Sequence, residues 1–177
     1  MGVELLDVVD DQDRVISRAR RDGIHARGLK HRAVRAFVFN ERCELFVQKR
    51  TAGKDTFPCC YDSSASGHPD SGEDYEDCAV RELLEELGLE ISPNQLRKRF
   101  TIEASQDTGW EFVWVYGVRG DFRPTVNHAE IAEGAFWDVD AVRHLIADQL
   151  EQCAQSFCRA FAVFESRGLL PAGTEDR

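Results

Sequence analysis

Long apolar runs are absent from this chain, and nothing in it approaches the roughly 20 residues that a membrane-spanning helix needs. No membrane partner is expected on that ground. The opening residues include Glu4, Asp7, Asp10, Asp11 and Asp13, unlike the basic and apolar start of a signal peptide. Surplus positive charge is lacking too: 22 basic residues face 32 acidic ones, a net charge of −10. That balance argues against nonspecific binding to nucleic acid or to an anionic membrane. It leaves room for a small phosphorylated substrate, because bound divalent cations invert the local charge logic. Six cysteines stand at 43, 59, 60, 78, 153 and 158, and no two have the Cys-x-x-Cys spacing of a zinc framework or a thioredoxin-like site. Cys59 and Cys60, being adjacent, do not readily bridge each other, so reduced thiols in the cytoplasm are the simplest expectation. Repeats, low-complexity runs and interdomain linkers are also missing. One domain over 1–177, with an N-terminal hairpin at 4–20 included, is the expected organisation.

What is present is ordinary for a globular protein: 42% hydrophobic and 31% charged residues. A chain of this size buries roughly 70% of its unfolded surface and needs no disulfide or metal staple to fold. Leu5–Val9 and Val15–Ala19 flank an Asp-rich turn and read as a hairpin. Ala33–Asn40 and Leu45–Arg50 read as richer strands, residues 51–60 as a loop, and Tyr61–Ser64 as a short strand. Further strands are expected at Phe100–Ala104, Phe112–Val118 and Ala135–Asp138, and helices at Val139–Ala147 and Gln149–Ser166. In the last helix Leu150, Phe157, Phe161 and Phe164 recur at helical spacing, a stripe that serves as core or as an oligomer contact such as a homodimer. Trp110, Trp114 and Trp137 are aromatic enough to stack on a base but are more often core. Strands, a central helix, more strands and terminal helices predict an α/β fold, a mixed sheet covered by helices.

The stretch GHPDSGEDYEDCAVRELLEELGL, from Gly67 to Leu89, carries the chemistry. A helix turns about 100° per residue. With Glu82 at zero, Glu85 falls near 300° and Glu86 near 40°, so three carboxylates share an arc of roughly 100°. Val80, Leu83, Leu84 and Leu87 fall at roughly 100–200°, which predicts an oily face opposite an acidic one. A solvated acidic face is the bland explanation, but like charges three or four residues apart cost about 0.2–0.5 kcal/mol per pair. No lysine relieves them between Asp74 and Leu87. A divalent hard cation would, since carboxylates are its natural ligands. Gly67 and Gly72 suit a tight loop, Asp74 or Ser71 a helix cap, and Gly88 a left-handed helix end.

Gly67, five residues, Glu73, seven residues and then Arg81-Glu82-Leu83-Leu84-Glu85-Glu86-Leu87-Gly88-Leu89 match the Nudix box at every fixed position. The chain resembles a Nudix hydrolase, and an α/β/α sandwich with a mixed sheet is the fold that this resemblance implies. It also implies Mg2+ or Mn2+ on Glu82, Glu85, Glu86 and the carbonyl of Ser66, with Arg81 holding the glutamates and loop in place. From about residue 4 to 166 the chain looks like the branch related to isopentenyl diphosphate isomerase, through HARGLKHRAVRAFVFN, LFVQKRTAGKDTFPCCYDSSASGHP and TGWEFVWVYG. In that branch an arginine and a lysine four residues on grip a diphosphate, which maps onto Arg50 and Lys54. His68 joins them as a substrate-binding candidate. His25, His31, His68 and Glu111 approximate the isomerase's second metal site, with His25 offset by one residue. The isomerase's catalytic cysteine, however, is Ser66 here, and one of its acids is Gly109. A serine hydroxyl does not readily replace a thiolate.

The resulting expectation is metal-assisted hydrolysis of a diphosphate linkage in a nucleoside-diphosphate-type substrate. Glu130, outside the box in HAEIAE, is the expected general base, with Glu133 beside it as the other candidate. The alternatives are an isomerase of prenyl diphosphates and a noncatalytic nucleotide-binding module.

Overall fold

The computed structural model describes residues 4–171. It opens with the hairpin β1 (Leu5–Val9) and β2 (Val15–Arg20), followed by the short helix α1 (Arg21–Arg27). The strands β3 (His31–Phe39), β4 (Leu45–Arg50), β5 (Tyr61–Asp62) and β6 (Ala65–Gly67) lead to helix α2 (Tyr75–Leu87). After it come β7 (Arg97–Ile102), β8 (Glu111–Arg119), β9 (Ile131–Trp137), α3 (Val139–Asp148) and α4 (Gln155–Ser166). The nine strands form one mixed sheet in which β3 is the hub: it runs parallel to β8 and antiparallel to β1, β4 and β6. The expected α/β architecture with a mixed sheet is present.

Side-chain alternation on β3 builds a core on each face. Ala33, Phe37 and Phe39 meet Val142 of α3 and Phe157, Phe161 and Phe164 of α4. Val34, Ala36 and Val38 meet Cys78, Ala79, Leu83 and Leu87 of α2. Burying each phenylalanine contributes about 1.5–3 kcal/mol. The phenylalanine stripe is therefore core, with Phe157 and Phe164 fully buried. Leu150 departs from that stripe and is 58% exposed.

Several boundaries differ from the sequence expectation. Helix α1 was not anticipated, because seven mostly charged residues show no apolar period; only Ile24 is buried. The last helix starts at Gln155, not at 149. A 3-10 turn at Leu150–Gln152 comes first, and Cys153 pairs with Tyr61. Strand β9 begins at Ile131 because it is zipped to β4 along its length, although its residues 132–135 are exposed and polar or small. The strand expected at Tyr61–Ser64 is only β5, Tyr61–Asp62, which pairs with β4; β6 follows separately, crosses to β3 and carries Ser66 opposite Arg35. On α2, Leu84 is 49% exposed and does not join the oily face. Among the described residues no helix is long and apolar enough to cross a membrane.

Candidate active site

Helix α2 starts where the Asp74 carboxylate accepts from the N–H groups of Glu76 and Asp77, both at 2.9 Å. It ends at Gly88, whose φ of 64° closes the last turn. These caps fix the rotation of the helix, which turns Glu82 and Glu86 toward β6. The loop gives way to them: a Cβ on Gly67 would stand 2.0 Å from Oε1 of Glu82. Arg81 ties the cluster together. Its Nε and Nη2 donate to Glu73 at 2.9 Å, Nη1 donates to Glu82 at 2.7 Å and to Glu85 at 3.2 Å, and Nη2 also reaches the carbonyl of His68 at 3.1 Å. Glu73 anchors the loop in turn, accepting from the Asp70 N–H at 2.8 Å.

The three glutamates are not equivalent. Glu85 is exposed, whereas Glu86 is only 4% exposed despite lying on the acidic side of the helix. Its carboxylate accepts from Nε2 of Gln48 at 3.0 Å and from the Ser66 N–H at 3.3 Å. Burial pushes the carboxyls of Glu82 and Glu86 up to about 7. Arg81 draws Glu82 back down, and Lys54 and Gln48 do the same for Glu86. Two buried carboxylates side by side hold their charge poorly alone. An oxygen-rich site of this kind fits a hard divalent cation.

Lys54 lies within electrostatic reach of Glu86 and forms an ion pair with Glu130. Their loops are joined by the backbone as well, Thr51 N–H donating to the Glu130 carbonyl at 3.2 Å. Glu133 points elsewhere, 3.4 Å from Lys49. Arg50 is buried against Asp62 at 3.1 Å and donates to the Thr56 carbonyl at 3.1 Å. Asp62 also holds Arg35 at 3.1 Å, so one carboxylate clamps two guanidiniums. Arg35, Gln48 and Asp62 were missed in the sequence; only Arg35 gave a signal, as a lone charge between the apolar residues of β3.

A second cluster lies beside the first. His25, from α1, His31, from β3, and His68 bring ring nitrogens within 4.8 Å of one another. His68 Nε2 lies 3.2 Å from Glu111 Oε1, and His31 Nε2 lies 3.7 Å from it. His31 is fully buried; its Nδ1 is bound to the Leu29 carbonyl at 2.9 Å, and its Nε2 has no hydrogen-bond partner. Burial holds His31 down to about 4, so its imidazole is neutral at neutral pH. Burial disfavours the Glu111 carboxylate, but the His68 hydrogen bond and the field of the neighbouring groups, the Arg35 guanidinium among them, overcome this and hold it at about 2. Three imidazoles around an ionised carboxylate are a donor set for a transition metal. His68 joins the two clusters, its ring in one and its carbonyl on Arg81 of the other. Gly109 is on the loop before β8 and brings no side chain. The tryptophans are half-buried: Trp114 stacks on Tyr75 at 4.2 Å, Trp137 meets Tyr61 at 5.4 Å, and Trp110 packs against Gly28.

The sequence profile of the NUDIX domain matches residues 29–157. The chain belongs to the Nudix family. An uncharacterized Nudix hydrolase of Nostoc sp. is 40% identical over 138 residues, covering 76% of this chain and 80% of that one. The isopentenyl-diphosphate Delta-isomerase 2 of Photorhabdus laumondii is 33% identical over 146 residues, covering 81% and 82%. Among solved structures, DR0079 from Deinococcus radiodurans superposes with a TM-score of 0.80 at 29% identity, covering 90% of this chain and 98% of that one. A bifunctional NMN adenylyltransferase/ADP ribose pyrophosphatase from Francisella tularensis, complexed with AMP and a manganese ion, shares the fold at a TM-score of 0.62 and 14% identity, covering 78% and 42%. The protein is a Nudix hydrolase with relatives in the isomerase branch. Hydrolysis of a nucleoside diphosphate derivative, in general terms, comes with that membership.

Proposed function

We propose that this Nudix hydrolase cleaves a diphosphate linkage in a small nucleoside-diphosphate-type substrate, with Mg2+ or Mn2+ held by Glu82, Glu85, Glu86 and the Ser66 carbonyl. The observation that carries this reading is the Glu82–Glu86 pair, drawn out of water on one side of α2 and offset within the protein by Arg81, Gln48, the Ser66 N–H and the more distant Lys54. A divalent ion bound there polarises phosphoryl oxygens and lowers the pKa of its water. Arg81 fixes the carboxylates and the loop through Glu73 and the His68 carbonyl. Lys54 and His68 form the substrate-binding set, the ammonium meeting phosphate oxygens; Arg50, expected beside them, has its guanidinium buried on Asp62 and the Thr56 carbonyl. Glu130 serves as the general base that takes the proton from the attacking water.

The test is phosphate release from a panel of nucleoside di- and triphosphates, nucleotide sugars and dinucleotides, with magnesium and with a chelator. Turnover in magnesium that vanishes on chelation is expected. Nucleotides that survive intact would instead favour a binding module. The histidine cluster and the relatives named as isomerases favour one second reading, isomerisation of prenyl diphosphates. Ser66 at the nucleophile position and Gly109 at an acid position oppose it. Conversion of isopentenyl to dimethylallyl diphosphate by purified protein would establish that second reading.

A further inference from the structure

Lys54 stands within electrostatic reach of Glu82 and Glu86 of α2 and of Glu130. Its ammonium is paired with Glu130, and its side chain is 21% exposed against 43% for its partner. Glu86 and Glu82 pull on the same ammonium from α2, while Arg50 and Arg21 push it away. The turn that carries it is stitched to Glu130 by backbone: Lys54 N–H donates to the Thr51 carbonyl at 3.3 Å, and Thr51 N–H to the Glu130 carbonyl. The backbone is thus held while the four-carbon stem can swing. A lysine ammonium is a compact point charge with three rotatable donors, so it can exchange one oxyanion for another without moving its Cα.

We propose that Lys54 is a charge latch: it holds the Glu130 carboxylate in the resting protein and crosses to the diphosphate of the substrate, so that Glu130 is freed only when phosphate arrives. The proposal rests on the hydrolase reading for the roles of Lys54 and Glu130 and adds their mutual exclusion. A cation loaded onto the α2 carboxylates cancels their pull on Lys54, which leaves Glu130 and the substrate as competitors for it. Binding of phosphate must then break the Lys54–Glu130 pair, and by linkage removal of Glu130 must tighten phosphate binding by the strength of that pair. Water at the metal face without a diphosphate would meet a masked base, which suppresses idle chemistry.

The experiment is calorimetric titration of methylenediphosphonate, a diphosphate that cannot be hydrolysed, in magnesium buffer. Glu130→Gln is expected to bind it about two- to fivefold more tightly than wild type, as fits a partly exposed ion pair. Lys54→Gln is expected to bind it about tenfold or more weakly, from loss of a charged hydrogen bond. In the double variant the gain from Glu130→Gln should disappear. Lys54→Arg, which keeps the charge, should stay within a few fold of wild type, and Glu133→Gln should not change binding. A gain from Glu130→Gln that persists in the Lys54→Gln background, or that Glu133→Gln reproduces, would show simple charge repulsion and overturn the latch. Weaker binding by Glu130→Gln, or none by wild type, would overturn it as well. A wild type that shows the coupling but hydrolyses no nucleotide would sink the hydrolase reading alone; turnover without the coupling would sink the latch alone.

Discussion

Replacing Gly67 with alanine asks whether this loop lacks a side chain so that Glu82 can descend onto it. The new Cβ would lie 2.0 Å from Oε1, 2.2 Å from Cδ and 2.8 Å from Cγ of Glu82. Non-bonded heavy atoms settle at about 3.5–4.0 Å, so the carboxylate has to retreat by roughly 1.5 Å. That retreat breaks the 2.7 Å contact with Arg81 and displaces the proposed metal ligand. Because the obstructing atoms belong to a side chain that can rotate, the stability loss should sit in the lower part of the about 1–3 kcal/mol range for overpacking. A chain of this length then melts about 2–6 °C lower. Function suffers more, since about 1 Å of misplacement costs on the order of 10²-fold in rate. Thermal melting, magnesium titration and phosphate release on Gly67→Ala measure the three quantities. Gly23→Ala is the control, because its Cβ would meet only Nη2 of Arg27, at 3.9 Å. Wild-type turnover and magnesium affinity in a folded Gly67→Ala would refute the argument.

Glu86→Gln should stabilise the protein in chelator, and increasingly so as pH rises. The folded Glu86 carboxyl keeps its proton up to about 7 while the unfolded one releases it near 4.5, so the wild type loses stability across that window. At about 1.4 kcal/mol per unit the difference reaches about 3–4 kcal/mol at pH 8, and it should invert with magnesium, which needs the carboxylate; a pH-independent difference in melting would contradict this. Asp62→Ala leaves Arg35 and Arg50 buried beside each other and should cost about 3–5 kcal/mol by denaturant unfolding, and a loss under 1 kcal/mol would show the clamp to be dispensable. Glu130→Gln should lower kcat by about 10²–10⁴-fold while Glu133→Gln stays nearly neutral, and the reverse ranking in a turnover assay would move the base to Glu133.

The spacing of Glu73, Arg81, Glu82, Glu85 and Glu86 was legible in the chain because one helix brings these residues together through its own 3.6-residue period. The caps at Asp74 and Gly88 and the longer apolar strands were legible for the same local reason. Short or polar elements were not: α1 has no apolar period, and β9 exists because β4 supplies its hydrogen bonds. Likewise, the sequence ranked Glu82, Glu85 and Glu86 alike. Only packing against Gln48 and Ser66 makes Glu86 buried while Glu85 stays in water. The convergence of His25, His31 and His68, the Arg35–Asp62–Arg50 clamp and the Lys54–Glu130 pair join residues up to 76 positions apart. No local periodicity encodes such separations; the register of β3 with β8 and of β4 with β5 and β9 brings them together. The chain by itself thus determined which chemistry is carried, and the tertiary structure decided which charges are buried and which are paired.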